Sequence, residues 1–362
     1  GLNCAACHTS EIDYKGTTFQ IDGGGGLLDL QHTEAELLAA TDAILLDDDK
    51  ALRFEDRVLG SEATPAQRLE LGLNLVDYVI ELEERIDRHA PAIPGALVGA
   101  SGTVDLRYGP GRVDAYTTLI NETVCAMLPM AENCRPGNTP TNYPHLWGIS
   151  DFDWAQTNSL THAVLGRNVG ELLGVYGHSS LDNCTTLEDN PQLCEFNSSA
   201  HIDNLVALED WIKELESPKW PEQFPAIDQE LAAKGAALYA NDCEDCHTTS
   251  ATRTGYPMGD PNAETPNPCG RKFVKTVSTP ICFDFNGIDL LGGLAAANCA
   301  EDVVSIGTDP FLAANVVART SKTGILAPLF GGATEVSAAA LLGTMQTLII
   351  KQAFGKLLVE TG

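Results

Sequence analysis

The chain has 362 residues, 44% of them hydrophobic, with a formal net charge of −28 at pH 7. That size and apolar content suit two ordinary globular cores. The acidic surface argues against a nucleic-acid partner, since it would be repelled by a phosphate backbone, and no stretch reaches the ~18 uninterrupted apolar residues of a membrane span.

The chain opens on Cys4-Ala5-Ala6-Cys7-His8, a C-x-x-C-H run that recurs at Cys243-Glu244-Asp245-Cys246-His247. This pattern attaches c-type haem: two thiols on one tight turn reach the two vinyl groups of a porphyrin, and the histidine lies under the ring as an iron ligand. With 11 Cys and 8 His in the chain, chance supplies roughly 0.007 such pentads, so two are not accidental. A thioredoxin-type pair would leave both histidines unexplained and lacks its βαβ setting. A shared zinc would need to close a gap far longer than usual zinc-site spacing. Cys4, Cys7, Cys243 and Cys246 are therefore the expected thioether anchors of two covalently bound haems, with His8 and His247 as proximal ligands.

Residues 16–33 are Gly-rich, with Gly23 to Gly26 in a row, and read as a loop. They lack the Lys-Ser/Thr ending of a phosphate-binding loop. Glu34 to Asp47 reads as a helix. Thr64-Pro65-Ala66-Gln67 is a capping box with proline at the first helical position, and its helix runs to about Arg88 with Leu69, Leu73, Val76 and Ile80 on one stripe. His89 falls at its end as a solvated or helix-end histidine. A Pro/Gly-rich connection covers 91–111, a helix covers Val113 to Leu128, and a proline-rich loop covers 129–144.

Tyr143-Pro144-His145-Leu146-Trp147 and Phe152-Asp153-Trp154 form an aromatic stretch leading through His162 to Arg167. A haem pocket needs flat apolar surface with a few placed polar groups, which makes His145, Trp147, Trp154, His162 and Arg167 the candidate distal or pocket residues. Arg167 suits a propionate, because guanidinium binds carboxylate bidentately. His32, His178 and His201 are weaker ligand candidates. His201 to Leu215 reads as an amphipathic helix, and Pro218-Lys219-Trp220-Pro221 marks the domain boundary. Ile227 to Ala240 reads as the helix leading into the second haem motif, with Gly235 permitting a close helix crossing. The first motif has only three residues ahead of it, so a preceding helix and export signal are expected to have been lost. Residues 248–286 show no helical stripe, Thr308-Asp309-Pro310 caps a short helix, and Glu335 to Val359 is a long apolar helix containing Met345.

Cys125/Cys134 and Cys184/Cys194 bracket turn-rich loops and are expected as short-loop disulfides, leaving Cys269, Cys282 and Cys299 with one thiol over. Disulfides and c-type haem both point to the periplasm or the cell exterior.

The two haem motifs resemble those of the bacterial di-haem cytochrome c peroxidase superfamily. Gly109-Pro110-Gly111-Arg112-Val113-Asp114-Ala115, Tyr143-Pro144-His145-Leu146-Trp147, Gly166-Arg167-Asn168-Val169-Gly170-Glu171, Ser217-Pro218-Lys219-Trp220-Pro221 and Gly307-Thr308-Asp309-Pro310 resemble its rubber oxygenase A-like branch more closely. The resemblance implies a mainly α protein with long loops, little regular sheet and two cytochrome c-like haem domains, here 1–222 and 223–362. It implies that one haem, the one on His8, is open to oxygen or peroxide and that the other transfers electrons. The family's second haem takes a distal histidine near the C-terminus, whereas no histidine follows His247 here. Met258 and Met345 are the only thioethers downstream, and loss of a C-terminal portion is the expected reason. Calcium between the domains has no signature in this sequence.

The expected function is thus a haem-dependent oxidoreductase of peroxidase or dioxygenase type, with a small-molecule oxidant and a redox protein as partners, and Trp147, Trp154, Trp211 or Trp220 as charge relay. The alternative is a pure electron-transfer cytochrome with both haems six-coordinate.

Overall fold

A computed structural model describes residues 3–89, 108–149, 164–182, 194–242, 315 and 319–361. It is mainly helical, and its strands form only small antiparallel pairs, as expected of a mainly α protein.

A hairpin follows the first C-x-x-C-H pentad directly. Strands β1 (Thr9–Tyr14) and β2 (Thr17–Asp22) pair from Thr9↔Asp22 to Tyr14↔Thr17. The two residues between them, Lys15 and Gly16, both have positive φ (49° and 81°), the turn whose twist matches paired strands. The loop expected over 16–33 is thus shorter. Thr17, Thr18, Phe19 and Ile21 are β-branched or aromatic and form strand, and irregular backbone is confined to 23–29.

Three helices follow: α1 (Leu30–Leu45), α2 (Asp48–Leu59) and α3 (Pro65–His89). Asp29 and Asp47 cap the first two by accepting from His32 N and Lys50 N. The capping box of α3 forms reciprocally: Gln67 N donates to Thr64 Oγ1 at 3.3 Å, and Thr64 N donates to Gln67 Oε1 at 2.9 Å. Thr64→Ala is expected to cost about 1 kcal/mol in urea unfolding, the usual value of an N-cap. The buried face of α3 carries Leu75, Val79, Leu82 and Arg85; the expected stripe of Leu69, Leu73, Val76 and Ile80 is exposed instead. His89 is buried, a correction to its reading as solvated. Its Nε2 lies 2.7 Å from Glu122 Oε1, in a cluster where Arg85 also reaches Glu34 (3.1 Å) and Glu122 (3.2 Å).

The helix expected over 113–128 forms in two parts. β3 (Arg112–Val113) pairs with β4 (Thr141–Asn142), then α4 (Ala115–Ile120) widens into a π-helical stretch, Asn121–Met127. Asn121 sits fully buried at that change and spends its whole amide. Nδ2 donates to Arg88 O and Arg135 O, and Oδ1 accepts from Arg135 N and from Arg319 Nη2. The Cys125–Cys134 disulfide closes the loop that follows. Cys194 is also disulfide-bonded, while Cys184 lies outside the described residues.

Next come α5 (Val164–Val175), the β5–β6 hairpin (Ser179–Asp182 with Glu195–Ser198), α6 (Ile202–Lys213) and α7 (Gln229–Asp242). After 319, β7 (Thr320–Lys322) and β8 (Glu335–Ser337) flank a 3₁₀ segment and lead into α8 (Ala338–Thr361). The long apolar helix expected from Glu335 therefore starts three residues later. No helix among the described residues is long and apolar enough to cross a membrane.

The hydrophobic core joins Leu119, Ile120 and Val124 to Val169 and Leu173 of α5, Phe196, Leu205 of α6, and Leu341, Met345 and Ile349 of α8. α8 packs in this core against α5, α6 and β6 from earlier in the chain. Met345 is fully buried there, as a packing side chain. α7, by contrast, buries none of its residues, and a side chain added at Gly235 would meet nothing within 4 Å, so no described element crosses it closely. It ends at Asp242, the residue before the second C-x-x-C-H pentad.

Candidate functional site

The first pentad folds as one tight turn. Asn3 Oδ1 accepts from Ala5 N at 3.0 Å, Cys4–Ala6 forms a 3₁₀ turn, and His8 N donates to Cys4 O at 2.9 Å. Cys4 and Cys7 are three apart on that turn and both carry free thiols, the first exposed and the second half-buried. Burial raises the pKa of each. Glu171 adds to the rise at Cys4, and a hydrogen bond with Tyr143 opposes it at Cys7.

The glycine run packs onto this turn by backbone alone. Gly26 N donates to Cys7 O at 2.7 Å, and a Cβ on Gly26 would lie 3.0–3.1 Å from three carbonyls of the turn region. On Gly25 it would lie 2.3 Å from Tyr143 O. These glycines serve close approach of main chains. The same run holds the segment after Asn142 through Leu146 N, which donates to Gly23 O at 2.8 Å. Gly111 holds it from the other side: its carbonyl accepts from Tyr143 N, and its N–H donates to Leu28 O.

That clamp places the Pro144 carbonyl 2.8 Å from His8 Nδ1. A carbonyl only accepts, so Nδ1 carries the proton and Nε2 presents a lone pair. Burial lowers the pKa of His8, the Pro144 bond opposes that, and the charge of Arg167 lowers it further. The ring is held neutral and oriented, as a metal-binding imidazole is by its outer-shell partner. Tyr143 closes the side of the site. Its ring meets His8 edge-on at 6.4 Å, and its hydroxyl donates to Leu28 O at 3.2 Å.

His145 and Trp147 stack on one another at 4.8 Å, with His145 exposed. Arg167 is buried on α5, but its guanidinium goes to Glu209 Oε1 at 2.6 Å, and Asn168 binds the same oxygen. Its carboxylate partner is thus a side chain of α6. Glu171, one turn further along α5, is exposed and acts electrostatically on Cys4. His32, His178 and His201 are exposed on other elements. Trp154, His162, Cys243, Cys246, His247 and Met258 lie outside the described residues. Among the described residues no group of three His, Cys, Asp or Glu could hold a bare metal ion.

Sequence reasoning missed Pro144, Tyr143 and Glu171 as site residues. The Tyr-Pro-His run held the signal for Pro144. Proline has no N–H to pair along a strand, and its carbonyl is left to accept. Trp220 is 56% exposed, with Nε1 donating to Pro225 O, and its ring joins Phe224 against Tyr14 and Phe19 of the hairpin that follows His8.

Comparison with known proteins finds the chain similar to the uncharacterized protein y4iJ of Sinorhizobium fredii (strain NBRC 101917 / NGR234). The two are 29% identical over 352 residues, which cover 92% of this chain and 52% of the relative. The chain spans about half the length of that curated relative. No family model and no solved structure matches it.

Proposed function

We propose that the protein is a di-haem c-type cytochrome acting as an oxidoreductase, with oxygen or peroxide chemistry at the haem on His8 and electron supply through the haem on His247. The observation that carries the reading is the pentad turn with two free thiols whose following histidine gives Nδ1 to a proline carbonyl at 2.8 Å. A redox thiol pair needs no such oriented imidazole, whereas an iron ligand does.

A haem held by these residues would supply an iron that exchanges electrons and reacts with oxygen or peroxide. The chain's residues do the rest. Cys4 and Cys7 would hold the ring covalently. His8 offers Nε2, fixed in tautomer by Pro144. His145 and Trp147, stacked on one another just after Pro144, would offer a route for electron entry to His8. On α5, Arg167 and Glu171 bring one buried cation and one exposed carboxylate to the attachment residues, and Glu171 is the group suited to carry protons. The Cys125–Cys134 disulfide fits a periplasmic or secreted protein.

A ferric EPR spectrum with and without cyanide tests the reading. A high-spin signal that cyanide converts to low spin is expected from the open haem. Two low-spin haems indifferent to cyanide, oxygen and peroxide would leave only the electron-transfer function.

A further inference from the structure

The outer face of α3 carries an exposed apolar seam that no element among the described residues covers. Leu69, Leu73, Val76 and Ile80 are 66%, 58%, 40% and 50% exposed. The helix already meets the core through Leu75, Val79 and Leu82 on its other side, so a second apolar face is left over. The seam residues are spaced four, three and four apart, the alternation by which one helix packs along another in a two-stranded coil. The eleven steps from Leu69 to Ile80 rise about 17 Å, or three turns of contact.

Charge selects the occupant. Glu70 and Asp77 lie along one edge of the seam, and every exposed charged residue of α3 is a carboxylate. Among the described residues neither Glu70 nor Asp77 has an ion pair. Arg68, the one cation in the first turns, is committed to Glu55 (2.9 Å) and Asp56 (2.7 Å) of α2. A second copy laid on this seam would set carboxylate against carboxylate between chains of net charge −28, which like-charge repulsion disfavours. An anionic lipid surface is repelled for the same reason.

We infer that this face of α3 docks an amphipathic α-helix of another protein, one that sets an apolar seam against Leu69, Leu73, Val76 and Ile80 and flanks it with Lys or Arg opposite Glu70 and Asp77. The inference is independent of the haem chemistry.

The test uses the purified full chain and a labelled 21-residue helical peptide with Leu at its seam positions and Lys at the flanks, read by fluorescence anisotropy. Micromolar binding is expected, weakening at least tenfold between 50 and 200 mM NaCl. Leu73→Gln with Val76→Gln should weaken it at least tenfold. Glu70→Gln with Asp77→Asn, which keeps every apolar contact, should flatten the salt dependence. A scrambled peptide of the same composition should bind at least tenfold more weakly. Absence of binding, equal binding of the scrambled peptide, or affinity unchanged in the Leu73→Gln/Val76→Gln protein would overturn the inference. So would sedimentation showing a self-dimer that those two substitutions dissolve, since the seam would then belong to a second copy.

Discussion

A Cys4→Ser/Cys7→Ser protein is expected to carry half the covalent haem of the wild type: one equivalent by pyridine haemochrome assay where the wild type has two. The turn itself should survive, because main-chain bonds and the Asn3 cap hold it. Serine is close to cysteine in size, and neither thiol is fully buried. What disappears is the nucleophile that adds to a porphyrin vinyl group. A single remaining thiol would still form one thioether, so both must change for a clean result. His8 and Pro144 keep their geometry in this variant, so any haem left at the site is held by coordination alone and extracts into acidified solvent. Two covalent equivalents in the variant, or none in the wild type, would end the proposed function.

The capping box and the Cys125/Cys134 pairing were legible because each is a short-range pattern whose physics is complete within a few residues. The hairpin over 9–22 was hidden because Gly16 adjoins a glycine-rich stretch. The turn uses that glycine for its positive φ, while the strand after it follows its own β-branched residues. The faces of α3 show a different limit. Leu69-Leu73-Val76-Ile80 and Leu75-Val79-Leu82 both keep helical spacing, and periodicity does not say which of two stripes meets the core. Arg85 and His89 decide it, by reaching Glu34 and Glu122 from elsewhere in the chain. A histidine next to a helix end reads as solvated until its distant partner is known. The same holds at the site. His8 was found by its motif, but its orienting carbonyl lies 136 residues away and depends on the Gly23–Gly26 and Gly111 contacts that hold residues 143–146. Arg167 shows the converse, since its partner Glu209 sits 42 residues on and nothing local pairs them.

Replacing Glu122 by glutamine is expected to destabilise the fold in a pH-dependent way. Glu122 lies in the π-helical stretch, and Arg85, Arg88 and His89 approach it to 3.2, 3.2 and 2.7 Å. Burial by itself would raise its pKa, but His89, Arg85 and Arg88 outweigh burial and hold it at about 2, against an ordinary 4.5. Folded Glu122 therefore binds its proton less readily than unfolded Glu122 does. Its contribution is complete above about pH 4.5 and is lost as the pH falls toward 2. At about 1.4 kcal/mol per pKa unit, this amounts to about 3 kcal/mol at neutral pH, within reach of what breaking a buried ion pair costs. Urea unfolding at pH 7 should show Glu122→Gln less stable by about that amount, with the two proteins converging as the pH approaches 2. His89, whose pKa burial lowers from 6.5, adds a loss of its own below that pH in the wild type. Equal stability at pH 7, or a difference that persists unchanged to pH 2, would mean that the cluster of Glu34, Arg85, Arg88, His89 and Glu122 is held by packing around it rather than by its charges.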